Sequence, residues 1–219
     1  MKDIPMVKNY NDDEIANLKK IVIAIHGFSS SKESRNITTA MPALKQNGYG
    51  MIAFDLPGHG ENKEKLGIKN CLNCIKRVED DLRAKYSGPI CIRGSSFGGY
   101  LTLLYLINNN RQYSDILLLA PAIDFYKTFS KRCENDKRES TIEFLKEVKN
   151  YNVFAGANKI KEKLNIIYAT KDEIVDNSEI FELAKIVESK TYPIEGAKHH
   201  FTQDEREKAV EIILTILGK

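Results

Sequence analysis

The sequence contains no run of apolar residues long enough to cross a lipid bilayer. A transmembrane helix needs about 20 consecutive, mostly apolar residues, and no apolar run in this chain of 219 residues approaches that length. The first residues, MKDIP, also lack the apolar core and the cleavage site of a secretory signal. These absences predict a cytoplasmic protein that does not insert into a membrane.

The sequence also has little net charge. Its 33 basic and 30 acidic residues leave a formal charge of +3 and are spread along the whole chain. Nucleic-acid binding requires a concentrated positive field on one face of a protein. We therefore expect no nucleic-acid partner.

Cysteine is scarce, with four residues in the chain. Cys71 and Cys74 form one CxxC pair, but a structural zinc site needs two further ligands at a matching spacing. Neither Cys91 nor Cys133 belongs to a second pair. The sequence therefore predicts no metal site, and reduced cysteines that pack as small apolar side chains.

The composition is that of a folded globular protein. Hydrophobic residues make up 42% of the chain and charged residues 29%, which is enough apolar material for a core and too much for a disordered chain. The length fits one hydrophobic core, and no internal repeat or low-complexity segment is evident. We therefore expect a single domain over residues 1–219.

Short β-branched runs alternate along the chain with longer segments of helical period. Strands are predicted at 21–25, 51–54, 90–93, 116–119, 164–169 and 191–194, and helices at 39–46, 70–86, 100–107 and 202–217. The first strand is apolar at every position, as expected for a strand that is covered on both sides. This alternation predicts an α/β fold with a mostly parallel sheet and helices on both faces.

One segment interrupts the alternation. Residues 122–161 are charged and carry several aromatic side chains, and they are too many for an ordinary connection between a strand and its crossover helix. We interpret this segment as a small helical cap inserted into the sheet domain.

A glycine-flanked serine follows the third predicted strand directly. The run GSSFG at positions 94–98 fits the pattern G-x-S-x-G, in which the serine occupies a strained strand-to-helix turn and the glycines let neighbouring backbones approach closely. Only Ser96 fits this register, because a nucleophile at Ser95 would be flanked by Arg93 and Phe97, whose side chains would collide in the turn. Ser96 is therefore the candidate nucleophile.

A serine hydroxyl is a weak nucleophile, so a histidine must take its proton and a carboxylate must orient that histidine. His199 and His200 lie in a loop just after the last predicted strand. His199 is the preferred base, and His200 stays open as the alternative. Asp172 follows the preceding predicted strand, at 164–169, and is the preferred acid. Asp176 is a second candidate for the acid, although it is also placed to open the next helix.

The serine, aspartate and histidine in this chain order, together with several flanking motifs, resemble the α/β-hydrolase superfamily. Within it the chain is similar to small esterases, lysophospholipases and monoacylglycerol-lipase-like serine hydrolases. The resemblance runs from Ile21 to the end of the chain. It rests on HGF at 26–28, DLPGHG at 55–60, the serine motif, Asp172 with the following Ile174 and Val175, and GAKH at 196–199. The lysine at 198 departs from the family pattern, in which glycine commonly precedes the histidine.

The resemblance implies an α/β-hydrolase fold and an oxyanion hole formed by the backbone N–H groups of Phe28 and Phe97. The resemblance also implies which strands to expect before Ile21. Few residues precede Ile21, whose strand normally comes third in this fold. One or both of the leading antiparallel strands are therefore expected to be missing.

The expected activity is hydrolysis of small carboxylic esters through an acyl-enzyme on Ser96, with no cofactor and no metal. The expected partner is a small-molecule ester, and Phe125, Tyr126 and Phe129 of the inserted segment are the candidate pocket residues. Two alternatives stay open. One is a thioesterase or acyltransferase with the same three residues, and the other is a non-catalytic ligand-binding protein on the same fold.

Overall fold

The computed structural model describes residues 4–218 and is built on a seven-stranded sheet. Residues 1–3, the start of the segment considered as a signal, and residue 219 lie outside the described residues. The strands are β1 (Met6–Lys8), β2 (Ile21–Ile25), β3 (Gly50–Phe54), β4 (Ile90–Ser95), β5 (Asp115–Leu119), β6 (Leu164–Ala169) and β7 (Ser189–Ile194). Their order in the sheet is β1-β3-β2-β4-β5-β6-β7. β1 pairs antiparallel with β3, and the remaining pairs are parallel.

Seven α-helices connect or flank these strands in the described part of the chain. They are α1 (Arg35–Gln46), α2 (Ile68–Arg83), α3 (Phe97–Asn108), α4 (Phe125–Arg132), α5 (Glu139–Val148), α6 (Asn177–Leu183) and α7 (Gln203–Leu217). Within residues 4–218 no helix is long and apolar enough to span a bilayer.

Each face of the sheet carries its own hydrophobic core, because successive side chains of a strand point to opposite faces. On β2, Ile21, Ile23 and Ile25 pack into the core that contains α2 and α3. Val22 and Ala24 pack into the core that contains α1 and α7. The predicted α/β class, with a mostly parallel sheet and helices on both faces, is therefore confirmed.

Some element boundaries differ from the predicted ones. Helix α1 begins at Arg35 rather than at residue 39, because Ile37 already faces the core together with Ala40 and Leu44. One leading antiparallel strand is present, as the three residues of β1, which pair with β3 at the edge of the sheet.

The segment 122–161 contains α4 and α5 and lies between β5 and β6. Three parallel strands, β2, β3 and β4, end in register, with Ile25 opposite both Phe54 and Gly94. The loops that follow these strands therefore meet at the carboxyl edge of the sheet, and α4 packs there through its aromatic side chains.

Candidate active site

Ser96 occupies a one-residue turn between the end of β4 and the start of α3. Its backbone has φ 52° and ψ −115°, a conformation that non-glycine residues rarely adopt. A Cβ at Gly94 would lie 2.3 Å from the carbonyl oxygen of Gly98, and a Cβ at Gly98 would lie 2.3 Å from the carbonyl oxygen of Ile25. The two glycines of the motif are therefore required by close backbone contact on both sides of Ser96.

His199 connects Ser96 to Asp172 through two hydrogen bonds. The Nε2 atom of His199 lies 3.0 Å from Ser96 Oγ, and its Nδ1 atom lies 2.8 Å from Asp172 Oδ2. An ionised carboxylate only accepts, so Nδ1–H donates to Asp172 and Nε2 is left to accept the hydroxyl proton of Ser96. Three residues remote in sequence thus form one continuous hydrogen-bonded chain.

The Asp172 side chain is almost completely buried, at 1% exposure. Burial by itself raises the pKa of this carboxyl group, but the hydrogen bond from His199 and the backbone N–H groups of Val175 and Ile174 outweigh it. The pKa of Asp172 therefore lies below its ordinary value, and the group is a carboxylate at neutral pH.

The loops after β6 and β7 are bonded to each other, which brings Asp172 and His199 together. The backbone N–H of Lys171 donates to the carbonyl oxygen of Ala197 at 2.9 Å, and the N–H of Gly196 donates to Thr170 Oγ1 at 2.8 Å. Gly196 has φ +75°, the left-handed conformation that glycine adopts without strain.

Sequence reasoning missed a further contact of this loop. The carboxylate of Glu173, the residue after Asp172, accepts the backbone N–H of His199 at 3.2 Å. No local motif marks this residue, because the contact joins two loops that are 26 residues apart.

The two alternative site residues occupy other positions. His200 is exposed, and its ring centroid lies 5.5 Å from that of His199. Asp176 caps α6 by accepting the backbone N–H of Ser178, and it also pairs with Lys127 at 2.9 Å. The hydrogen-bonded chain therefore includes the preferred base and acid rather than the alternatives.

Phe28 and Phe97 both lie beside Ser96. Phe97 is the first residue of α3, and its ring centroid is 5.4 Å from that of Phe28. A Cβ added to Gly27 would be 3.5 Å from the Cβ of Ser96. The backbone segments that carry the two predicted oxyanion donors thus meet at the candidate nucleophile.

A buried aspartate holds the loop that follows Phe28, and sequence reasoning missed this role as well. Asp55 accepts the backbone N–H groups of Lys32 at 2.8 Å and of Glu61 at 2.9 Å, and it pairs with Lys32 Nζ at 3.1 Å. Burial raises the pKa of Asp55, yet these bonds lower it by more, so the net shift is downward. The DLPGHG motif signalled a turn here but not its contact with the neighbouring loop.

His26 is a structural histidine in this arrangement. It is fully buried, its Nε2 accepts the backbone N–H of Leu56 at 3.1 Å, and its Nδ1 donates to the carbonyl oxygen of Gly27 at 2.7 Å. Burial lowers its pKa to about 4. The ring is therefore neutral and joins the ends of β2 and β3.

A cavity of about 300 Å³ opens beside Ser96 and His199. Of the three candidate pocket residues, Phe125 and Phe129 line it, whereas Tyr126 lies outside it and is 37% exposed. Tyr126 does not line this cavity because α4 is amphipathic: positions 125, 128, 129 and 132 share the face toward the cavity, and position 126 lies on another face.

The aromatic residues of the insert also pack onto the sheet domain. The ring of Phe125 lies 4.5 Å from that of Phe97, and the ring of Phe129 lies 4.8 Å from that of Phe28, measured between centroids. Phe144 of α5 joins the same cluster, 5.4 Å from Phe129. The cluster fixes α4 and α5 against the elements that carry the site.

No metal-binding arrangement occurs in the part of the chain that the structure describes. Within residues 4–218 there is no group of three or more histidine, cysteine, aspartate or glutamate side chains placed to hold an ion. Cys71, Cys74 and Cys91 are buried free thiols, and burial raises the pKa of each of them.

Comparison with known proteins gives a family match and a fold match. A family model described as serine aminopeptidase, S33 matches residues 16–148. No curated protein sequence matches the chain. Among solved structures, Est1E from Butyrivibrio proteoclasticus with bound ferulic acid is 20% identical, with a TM-score of 0.83 over 99% of this chain and 96% of that chain.

Two further structures have the same architecture. Alpha/beta hydrolase domain-containing protein 10 from mouse is 16% identical, with a TM-score of 0.81 over 100% of this chain and 96% of that chain. The monoacylglycerol lipase of Paleococcus ferrophilus is 15% identical, with a TM-score of 0.70 over 98% of this chain and 99% of that chain. The predicted α/β-hydrolase fold is therefore confirmed.

Proposed function

Because the chain belongs to the hydrolase family described as serine aminopeptidase, S33, we propose that it is a serine hydrolase that cleaves small carboxylic esters. The observation that carries this proposal is the hydrogen-bonded chain from Ser96 through His199 to Asp172. Such a chain converts a weakly nucleophilic hydroxyl into an effective nucleophile.

In the proposed mechanism Ser96 Oγ attacks the ester carbonyl carbon while His199 Nε2 takes the hydroxyl proton. His199 then gives that proton to the departing alcohol, and an acyl-enzyme remains on Ser96. Water, deprotonated by the same nitrogen, then attacks the acyl carbon, and the bond to Ser96 Oγ breaks as His199 returns the proton to Oγ and the acid leaves. Asp172 stays ionised throughout and holds Nδ1–H, so that Nε2 faces the serine.

The negative charge that develops on the carbonyl oxygen needs donors that are already in place. We propose the backbone N–H groups of Phe28 and Phe97 for this role, and each such donor contributes about 3 kcal/mol to transition-state stabilisation. The N-terminus of α3 lies directly after Ser96 and adds the positive end of the helix dipole.

The lining of the cavity favours an ester over a peptide. An aminopeptidase must hold the positively charged amino group of its substrate, for which a carboxylate is the natural partner. Among the described residues that line the cavity beside Ser96 there is no aspartate or glutamate. Neighbours of the same fold that are described as an esterase and a lipase support the same choice.

We also propose that residues 122–161 act as a cap within a single domain. Phe125 and Phe129 both line the cavity and pack against the sheet domain. The cap thereby closes one side of a site that is small enough to prefer small substrates.

Labelling with a fluorophosphonate, combined with a panel of p-nitrophenyl esters, tests the proposal. We expect the label on Ser96 by mass spectrometry, and hydrolysis of at least the short-chain esters. Ser96→Ala should lose the label and lower kcat by roughly 10⁶-fold, with an unchanged circular dichroism spectrum. The matched variant Ser95→Ala should keep both the label and most of the activity.

The other outcomes separate the rival functions. Labelling at Ser96 without turnover of any oxygen ester, but with turnover of thioesters, would favour a thioesterase. Wild-type protein that neither reacts with the fluorophosphonate nor hydrolyses any ester would indicate a non-catalytic ligand-binding protein.

A further inference from the structure

The cavity beside Ser96 is lined by a single formally charged side chain, that of Arg132. Its other described lining residues include no lysine, aspartate or glutamate, and its apolar part includes Phe125, Phe129 and Ile174. Arg132 is exposed, so it places a positive charge at the solvent side of this cavity, whose described lining contains no carboxylate. A substrate that brings a negative charge is therefore favoured over a neutral one.

Arg132 has no acidic partner among the described residues, whereas two other cations of this region, Lys127 and Arg138, are paired. Lys127, on the same helix, pairs with Asp176 at 2.9 Å and Glu179 at 3.3 Å. Arg138, in the following segment, pairs with Asp136 at 2.5 Å. The charge of Arg132 is therefore available to a ligand.

The position of Arg132 on α4 points its side chain to the same side as the aromatic wall. Phe125, Phe129 and Arg132 occupy positions i, i+4 and i+7, which share one face of a helix. Phe125 contacts Phe97, the neighbour of Ser96. Arg132 follows seven residues after Phe125, which corresponds to about 10 Å along the helix axis. The charge thus lies at some distance from the reacting hydroxyl, beyond an apolar stretch.

A second cavity of about 640 Å³ adjoins the first. The two share Phe28, Ser29, Phe129 and Arg132, so Arg132 stands at their junction. Other cations that line the second cavity are paired, for example Lys65 with Glu143 at 3.2 Å. This junction leaves room for a substrate longer than the first cavity alone could hold.

We propose that Arg132 binds an anionic group of the substrate, so that the preferred substrate is an ester that carries a carboxylate several bonds away from the reacting carbonyl. Guanidinium and carboxylate groups form paired, charge-assisted hydrogen bonds. The inference rests on the proposed ester hydrolysis and names the class of ester. Arg132 determines specificity and does not take part in bond breaking.

Matched esters test this inference. The p-nitrophenyl ester of hexanoic acid and the mono-p-nitrophenyl ester of adipic acid differ only in a terminal methyl or carboxylate group. We expect Arg132→Gln to lower the ratio of kcat/KM for the adipate ester to kcat/KM for the hexanoate ester by about threefold to fivefold, mainly through KM. Arg132→Glu should lower the same ratio further.

Lys131→Gln is the control variant. Lys131 is the neighbour of Arg132 in the last turn of α4 and is exposed as Arg132 is, but it lines neither cavity. Both residues interact equally with the helix terminus, so an effect through helix stability would appear in both variants. We expect Lys131→Gln to leave the substrate ratio unchanged.

A second substrate pair locates the anion on the acid or the alcohol part of the ester. Phenyl hexanoate and 4-carboxyphenyl hexanoate differ by one carboxylate group, which lies on the alcohol part of the ester. A change in ratio for either pair that is specific to the Arg132 variants supports the inference and assigns the side.

Two results must be kept apart. Equal ratios for wild type, Arg132→Gln and Lys131→Gln with both pairs would overturn the role of Arg132 while leaving ester hydrolysis intact. Absence of turnover of all four esters, together with absence of fluorophosphonate labelling, would instead overturn the proposed function on which the inference rests.

Discussion

His199 and His200 are adjacent in sequence, and the environments of their side chains differ sharply. The side chain of His199 is 7% exposed and hydrogen-bonded on both nitrogens to Asp172 and Ser96. His200 is exposed and makes an edge contact with the ring of His199. Only the first ring combines a fixed orientation with access to the serine hydroxyl.

This difference predicts unequal effects of two alanine substitutions. His199→Ala should lower kcat by roughly 10⁶-fold, because the serine loses its proton acceptor. His200→Ala should have a far smaller effect. Steady-state kinetics on a p-nitrophenyl ester measures both, and circular dichroism checks that each variant is folded. Equal losses in the two variants would contradict the assignment of His199 as the base.

Individual residues of the site differ in how far the sequence alone could predict them. Ser96 could be predicted because Gly94 and Gly98 are local requirements of its turn, visible within five residues of chain. The hydrogen bond from the backbone N–H of His199 to the carboxylate of Glu173 could not be predicted, since it depends on how two distant loops meet. Arg132 was overlooked for the same reason, because its place beside the cavity depends on how α4 packs.

Among the secondary-structure elements, α4 joins the candidate site to the rest of the fold. Its inner face carries Phe125 and Phe129, which are 4% and 5% exposed, and its outer face carries Tyr126. Asp124 caps its N-terminus by accepting the backbone N–H of Lys127. The burial of one face, rather than helix propensity, is therefore the main source of its stability.

A matched pair of substitutions tests how firmly α4 belongs to the domain. Phe129→Ala should lower the free energy of unfolding by about 3 kcal/mol or more, because the ring is buried between Phe28 and Phe144. Tyr126→Ala should cost less than about 1 kcal/mol, since its ring is partly exposed. Urea unfolding followed by circular dichroism measures both values.

The same experiment examines the proposal of one domain. A single cooperative transition that shifts as a whole in Phe129→Ala is expected if α4 and the sheet unfold together. A separate early transition in that variant, with the main transition unmoved, would show that residues 122–161 unfold on their own.

Long apolar elements were predictable and short or half-exposed ones were not. The apolar residues of β2 have no polar face, so the pattern identifies a covered strand. Strand β1 has only three residues, none of them buried, and it exists because its backbone pairs with β3. α6 was anticipated only through the capping position of Asp176, and α5 only as part of the inserted segment.

In the molecule as a whole, the alternation of strands and helices along the sequence predicted the fold class. The arrangement around the site depends on long-range contacts and could not be predicted in this way. Parallel strands bring their carboxyl ends to one edge, which is why a serine after β4, an acid after β6 and a histidine after β7 can meet there. The packing of α4 onto Phe28 and Phe97 has no counterpart in sequence order. The shape and charge of the cavity therefore required the structure.

The buried junction at His26 couples the stability of the molecule to pH. The ring is fully buried and accepts a hydrogen bond from the backbone N–H of Leu56. Its centroid lies 5.2 Å from that of the His59 ring. Burial lowers the pKa of His26 from 6.5 to about 4, although the hydrogen bond to Gly27 and the charge of Asp55 oppose that shift. Between these two pH values the unfolded chain binds a proton that the folded protein does not. The free energy of unfolding must therefore fall as the pH falls through this window.

His26→Gln should reduce that pH dependence. In wild type, His26 alone should remove about 2 kcal/mol of stability between pH 7 and pH 4.5. In the variant this contribution is absent, so the stability difference between the two pH values should shrink by about that amount, even though the variant is less stable at pH 7. Urea unfolding at both pH values measures the free energy of unfolding of the wild type and of the variant. The control variant His200→Gln, which changes an exposed ring, should show the same difference in stability between the two pH values as the wild type. The other titrating groups are present in all three proteins, so a His26→Gln variant with the full wild-type pH dependence would show that the folded protein protonates His26 as readily as the unfolded chain does.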